Sequence, residues 1–391
     1  MESTAIPQNG HRVIAAYLVL CAISLAPILA FDYPPIVDHP NHLARLYVLQ
    51  SPAGSALGRV YEPAWGLIPN VAIDVLGVVL HPWLSPEAIL KLIAMLGMGG
   101  VLLAVALLQR RILGAVNPFL WLATLPIFNI ATTMGYLNYF LGVAVALLGF
   151  LLWLVLEERS AWLKVIAFNA IGAILFFCHV SALAVFGVIV FSYDLSRLLR
   201  AGSTDPARLL AFAGKLVAVF ALPCTLVLLA ERPDHIASID YGGKGRVLMA
   251  ATYVANWPVF LVASAAFFLA CYELLRSRLL SVAPALRVAL VLLALATLLL
   301  PSHVSLAIDV DSRVLVALVF LLIASTRIVD PTPRRTAALA LILLAVVSVR
   351  SLLIADQWRA WSGEVAAFRE TIAAIEPGAA LLVAGWPPQA A

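Results

Sequence analysis

Charge is what this chain most lacks: only 12% of its 391 residues are Asp, Glu, Lys or Arg, where a soluble domain carries about a quarter. So few ionised groups cannot make a water-facing surface, which excludes the two or three soluble domains that length alone would suggest. Cysteine is scarce too. The four present (Cys21, Cys178, Cys224, Cys271) sit singly in apolar runs, with no CxxC pair and no His at metal spacing. Neither a disulfide scaffold nor a cysteine metal site is expected. No GxxxxGK loop offers to cradle a nucleotide phosphate, and no repeat or low-complexity tract is evident. A formal net charge of +4 gives no basis for nucleic-acid binding.

What is present is apolar: 63% of the residues are hydrophobic and the mean hydropathy is +1.02. This composition predicts an all-α, polytopic integral membrane protein. About 20 apolar residues carry a helix across the hydrocarbon, and eleven stretches qualify: 13–31, 86–108, 117–132, 136–156, 163–178, 182–199, 209–230, 257–275, 283–301, 312–327 and 336–354. The third and fifth are short, so tilt or a helix break is expected there. Stretch 66–84 contains Pro69, Asn70, Asp74, His81 and Pro82, which favours an amphipathic helix on the membrane surface.

The charges test that choice. With a cytoplasmic N-terminus and eleven spans, the inner loops hold fourteen Lys/Arg against seven acids, and the outer side ten against fourteen, Lys215 lying within a span. Counting 66–84 as a span would invert every later loop, against the positive-inside rule. The N-terminal run lacks a small-residue cleavage site before Phe31-Asp32-Tyr33-Pro34-Pro35, so it is expected to remain as a span. The chain then divides into a membrane domain, 1–355, with a first outer loop at 32–85, and an extracytoplasmic tail, 356–391. A helix from Gln357 to Ile375 and a strand from Ala379 to Ala384 are expected in that tail.

Six of the seven histidines (His39, His42, His81, His179, His235, His303) fall on the outer side, and ionisable groups at membrane depth tend to mark a site. The densest polar segment is Asp32 to Tyr47 in the first outer loop. Its prolines fix an extended path, and Asn41 is a candidate N-cap for a helix with His42, Arg45 and Leu49 on one stripe. Asp38, His39, His42 and Arg45 suit proton transfer or metal binding. A solvated loop with a surface anchor helix is the competing reading.

At this segment the chain resembles a known superfamily. A first span, then Pro34-Pro35-x-x-Asp38-His39 with Ala44 beyond, then surface helices, then Ser85-Pro-Glu-Ala-Ile-Leu-Lys91 opening a span that ends in Gln109-Arg-Arg-Ile-Leu-Gly114, is similar to the membrane-embedded GT-C glycosyltransferases. The protein mannosyltransferase and lipid A aminoarabinose transferase groups have a comparable layout. Gly135-Tyr136-Leu-Asn138-Tyr139-Phe140-Leu-Gly142 also looks like the third-to-fourth span turn of bacterial members. The resemblance covers roughly residues 10–330 and is one of layout with short motifs. It implies transfer of a sugar from a polyprenyl-phosphate donor to a glycan, lipid or protein acceptor on the extracytoplasmic face of a bacterial inner membrane. It also implies that Asp38 is a general base or metal contact. His39 stands where an acid is usual, and Asp38 and His39 are the candidates should a divalent metal ion be used.

Inverting transfer needs a base for the acceptor proton and cations for the leaving phosphate. Arginine's planar fork suits phosphate, so Arg313, in Asp309-Val-Asp311-Ser-Arg313, is the first candidate, against a plain ion pair with Asp309 or Asp311. Lys244 and Arg246, in Tyr241-Gly-Gly-Lys244-Gly-Arg246, suit either a mobile lid or a solvated loop. Asn70 and Asp74, four apart on the proposed surface helix, share a face toward either acceptor or water. His179 and His303 read as satisfied interfacial residues, and Asn129, Thr132, Thr133 and Asn138 as hydrogen-bonding glue. A transporter or flippase for a lipid-linked glycan and a non-catalytic envelope assembly subunit are the rival functions.

Overall fold

The computed structural model describes residues 8–202, 205–231, 238–242, 244–247, 249–254, 257–304, 307–376 and 379. The chain opens with α1 (Gln8–Ala30) and continues through two short helices, α2 (His39–Gln50) and α3 (Ala72–Leu80). At 1.5 Å per residue, nine residues rise roughly 14 Å, so α3 is too short to cross a bilayer, as expected for a surface helix. Helix α4 (Pro86–Leu113) begins where the Ser85 hydroxyl accepts from the Ala88 amide at 3.3 Å and Pro86 fills the first turn. Both are ordinary start signals. It ends at Gly114 in the left-handed region, φ +78, where a side chain would be strained.

Beyond α4 come a 3-10 turn at Pro118–Thr124, α5 (Ile130–Met134) and α6 (Leu137–Val155). Helices α4 and α6 run in the same direction. Gly97 meets the backbone of Phe140 and Leu141, Gly100 meets the Ala144 methyl, and Arg111 donates to the Leu154 carbonyl at 2.8 Å. Residues 114–136 therefore return along the whole length of α4, and they do so without a continuous helix. Pro118 and Pro126 cannot donate to a helical ladder. Asn129 instead starts a new helix through a capping box with Thr132, accepting from the Ala131 amide at 2.8 Å. The break expected in the third apolar stretch is present, whereas the fifth is a continuous helix.

A broken helix inside a bundle leaves carbonyls that need donors. Arg350 supplies them. Its buried guanidinium donates to the carbonyls of Leu125, Phe128 (2.6 Å) and Thr252 (3.4 Å).

Helices α7 (Ala161–Cys178) and α8 (Val180–Arg200) form a hairpin whose connection is the single extended residue His179. Helix α9 (Pro206–Leu229) packs Pro223 against Gly172 of α7. There follow β1 (Ile239–Asp240), α10 (Lys244–Val247), α11 (Trp257–Arg276), β2 (Leu280–Val282), α12 (Arg287–Leu299), β3 (His303–Val304), α13 (Val310–Ser325), β4 (Thr326–Ile328) and α14 (Pro333–Ala373). Strand β1 pairs antiparallel with β3 near the start of α13, and β2 with β4 near its end. The two ribbons thus tie opposite ends of the bundle.

Helix α14 joins the expected last span and the expected tail helix in one 41-residue rod. Trp358 meets Phe31 and Phe128 edge-on, with ring centres 6.2 and 5.9 Å apart, and Arg369 donates to the Tyr33 hydroxyl at 2.7 Å. The expected strand beyond Ala379 and the residue His235 lie outside the described residues.

Helices α4, α6, α8 and α13 make the most buried part of the bundle. Others turn apolar side chains outward: on α9, Leu210 is 75% and Val217 71% exposed, a surface suited to lipid rather than water. Among the described residues, seven helices (α1, α4, α6, α7, α8, α9 and α14) are long and apolar enough to cross a membrane. Lys215 is held by Asp194 at 2.7 Å and lies over Trp153.

Candidate functional site

The site grows from the turn between α5 and α6. Gly135 takes φ +82, and its neighbours bind the first loop: Val37 donates to the Thr133 carbonyl at 3.1 Å and Asp38 to the Met134 carbonyl at 3.0 Å. A Cβ on Gly135 would come within 2.9 Å of the Asp38 nitrogen. This close approach, open only to glycine, fixes Asp38 at the N-terminus of α2. Asp38 is half-buried, and its carboxylate makes no hydrogen bond or ion pair with a described residue.

His39 is buried on the first turn of α2. Burial, aided by the charge of His42 and opposed by Glu87, lowers its imidazole to about 4, so it is neutral at pH 7. His42 is also lowered, chiefly by burial, with Asp38 opposing. Among the described residues no three His, Cys, Asp or Glu side chains converge as a metal site. Asp38 and His39 by themselves therefore do not make a closed, protein-ligated metal centre.

On the outer side of α2, Arg45 pairs with Asp74, which is 3% exposed. Burial raises the Asp74 carboxyl despite this partner, and its second oxygen has no hydrogen bond. Asn70 does not share a helical face with Asp74 as expected. It lies before α3 in the left-handed region, φ 65, a conformation that stops a helix from including it. Asn138 ties this segment to α6: its amide donates to the Asn70 carbonyl at 2.5 Å and accepts from the Ile73 amide at 3.0 Å. Arg45 and Asp74 line a cleft of about 600 Å³ walled by apolar and aromatic residues of the first loop, among them Tyr61 and Trp65.

Arg313 stands on the first turns of α13, 7% exposed, and pairs with neither Asp309 nor Asp311. Asp309 accepts from the Tyr136 hydroxyl at 2.9 Å. The buried carboxylate of Asp311 takes Lys244 at 2.6 Å, the Ser302 hydroxyl at 2.8 Å and the Ser312 amide at 2.7 Å. The contacts of Arg313 are with neutral groups: the Tyr136 ring, 4.1 Å from the guanidinium carbon, and the His179 Nε2, 2.8 Å from Nη1. The Ser181 amide also donates to His179, at Nδ1. An imidazole offers at most one acceptor, so the ring cannot satisfy both donors. The Arg313 Nε is buried with no hydrogen-bond partner among the described residues.

Lys244 corrects the expectation of a lid or a solvated loop. It lies on a helical turn, and its ammonium reaches Asp311 and the Leu300 carbonyl. A buried carboxylate draws in a cation because a lone one would be costly. Arg246 is on the same turn, but its side chain lies outside the described residues.

The Gly135-Tyr136 turn thus carries Asp38 and His42 on one side and Asp309 and Arg313 on the other, with His179 against Arg313. Arg45 and Asp74 form an adjoining pair, Asn138 holds the backbone at Asn70 and Ile73 beside it, and Lys244 is taken by Asp311. From the sequence alone Tyr136 reads as part of a motif, Asp309 as an ion-pair partner and His179 as an interfacial residue. The Gly135-Tyr136-Leu-Asn138 motif is the sequence signal that pointed to this turn. The chain matches no protein-family model, no curated protein and no solved structure.

Proposed function

We propose that the chain is a GT-C-like membrane glycosyltransferase that moves a sugar from a polyprenyl-phosphate donor to a glycan, lipid or protein acceptor. The observation that carries the reading is the state of Arg313: a buried cation that has, among the described residues, neutral neighbours, an unpartnered Nε and no carboxylate. Such a group is costly to hold in a fold unless an anion completes it, and a phosphate matches the guanidinium fork. Asp38, with a free carboxylate at the same turn, suits the base that takes the acceptor proton as the sugar's anomeric carbon leaves the donor phosphate oxygen. The proton passes to Asp38 and the electron pair of the broken C–O bond to the phosphate, next to Arg313. In this reading the bundle makes eleven crossings, residues 114–136 being one of them, with the N-terminus cytoplasmic and the site at the extracytoplasmic face of a bacterial inner membrane.

The test is mass spectrometry of envelope glycolipids and glycans from cells carrying wild type, Asp38→Asn, Arg313→Gln or no gene, with equal membrane levels of protein. Loss of one glycoform in the deletion and both variants, with its polyprenyl donor retained, is the expected result. Wild-type glycans in both variants alongside loss in the deletion would reject the transferase reading and favour transport or assembly.

A further inference from the structure

At the end of the bundle opposite Asp38 lies a second cavity of about 860 Å³, larger than the first-loop cleft. It opens between α1, α4, α6 and the start of α14, closed below by the 3-10 turn at 118–124. Leu107, Leu151 and Ile328 are among its apolar walls, and its charged lining is of one sign: Arg12, Arg110 and Arg111. Among the described residues no Asp or Glu lines it. Arg111 is committed to the Leu154 carbonyl. Arg12 and Arg110 are exposed and make no hydrogen bond or ion pair with a described residue.

We propose that this cavity is a binding site for an anionic diacyl phospholipid, with the headgroup phosphate on Arg12 and Arg110 and an acyl chain along the apolar walls. The occupant follows from charge complementarity and position. The cavity lies among helices of membrane-crossing length, where phospholipid is the neighbouring solvent, and two uncompensated guanidinium groups on adjacent helices flank its mouth. Basic pockets between membrane helices select anionic headgroups in this way, and arginine takes a phosphate through two hydrogen bonds at once.

Native mass spectrometry of the delipidated full chain tests this with phosphatidylglycerol and phosphatidylcholine of identical acyl composition. Wild type is expected to retain one phosphatidylglycerol per chain at saturation and to hold phosphatidylcholine at least tenfold more weakly. Arg12→Gln combined with Arg110→Gln is expected to weaken phosphatidylglycerol retention at least tenfold, whereas Arg12→Lys with Arg110→Lys retains most of it. Arg276→Gln with Arg278→Gln removes two charges beside the β2 end of the same bundle but outside the cavity, and is expected to bind as wild type. Equal loss in the two glutamine pairs, equal retention of both lipids, or preference for farnesyl phosphate over phosphatidylglycerol would overturn the proposal.

Discussion

The guanidinium carbon of Arg313 lies 4.1 Å from the centre of the Tyr136 ring, while the hydroxyl of that ring donates to Asp309 at 2.9 Å. Tyr136 thus meets the arginine with its ring face and Asp309 with its hydroxyl. Asp311, two residues away, is already saturated by Lys244, Ser302 and Ser312. Among the described residues the cation is left without an anion.

This arrangement sets stability against activity at one residue. Arg313→Gln removes a buried, uncompensated charge, so thermal stability in detergent is expected to hold or rise. Transfer activity is expected to fall by roughly 10- to 150-fold, the worth of about 1.5–3 kcal/mol of hydrogen bonding to a charged group. Arg313→Lys is expected to recover little, because an ammonium cannot reproduce the fork. Parallel loss of stability and activity would mark Arg313 as structural.

Gly135→Ala tests how Asp38 is placed. The new methyl meets the Asp38 nitrogen at 2.9 Å and its Cβ at 3.0 Å, in a backbone conformation with φ +82. The left-handed conformation alone costs about 1–2 kcal/mol. A lowered melting point is expected, together with an activity loss close to that of Asp38→Asn. A variant of normal stability and full activity would show that the turn does not hold Asp38.

The Lys244–Asp311 pair gives a double-mutant test. Lys244→Met strands a carboxylate that is 1% exposed and is expected to cost about 3–5 kcal/mol. Adding Asp311→Leu is expected to recover most of that loss. If Lys244→Met instead leaves stability intact and changes only activity, a lid role would replace the structural one.

His39 makes stability depend on pH. Its imidazole falls from 6.5 to about 4 on folding, chiefly through burial, so the folded state binds fewer protons than the unfolded chain. The contribution is fully present above pH 6.5 and is lost as pH drops through 6.5 toward 4, by about 3 kcal/mol in all. His39→Gln is expected to flatten the fall in melting temperature over that window. An unchanged slope would place the acid sensitivity elsewhere, with His42 the next group to test.

Much of the architecture was legible from composition and period alone. Low charge and long apolar runs fixed an all-helical protein with membrane-length helices, because no soluble core could hide that much apolar surface. Proline and asparagine in 66–84 pointed to a short helix rather than a span, and the shortness of 117–132 to a break, whereas the equally short 163–178 lies in one continuous helix. The loop around Asp38 stood out by its density of polar groups.

Which polar groups meet was decided only by the tertiary structure. Spacing offered Arg313 two acids within four residues, yet the bundle gives Asp311 to Lys244, 67 positions away, and turns Asp309 to Tyr136. Arg350 reads as one more charge on a long helix until the carbonyls freed at Leu125 and Phe128 converge on it. Hydropathy and period are local properties, so the sequence by itself determines elements and their exposure. Pairing in a low-dielectric interior depends on which donors and acceptors packing brings within 3 Å, and that is settled only when the helices close on one another.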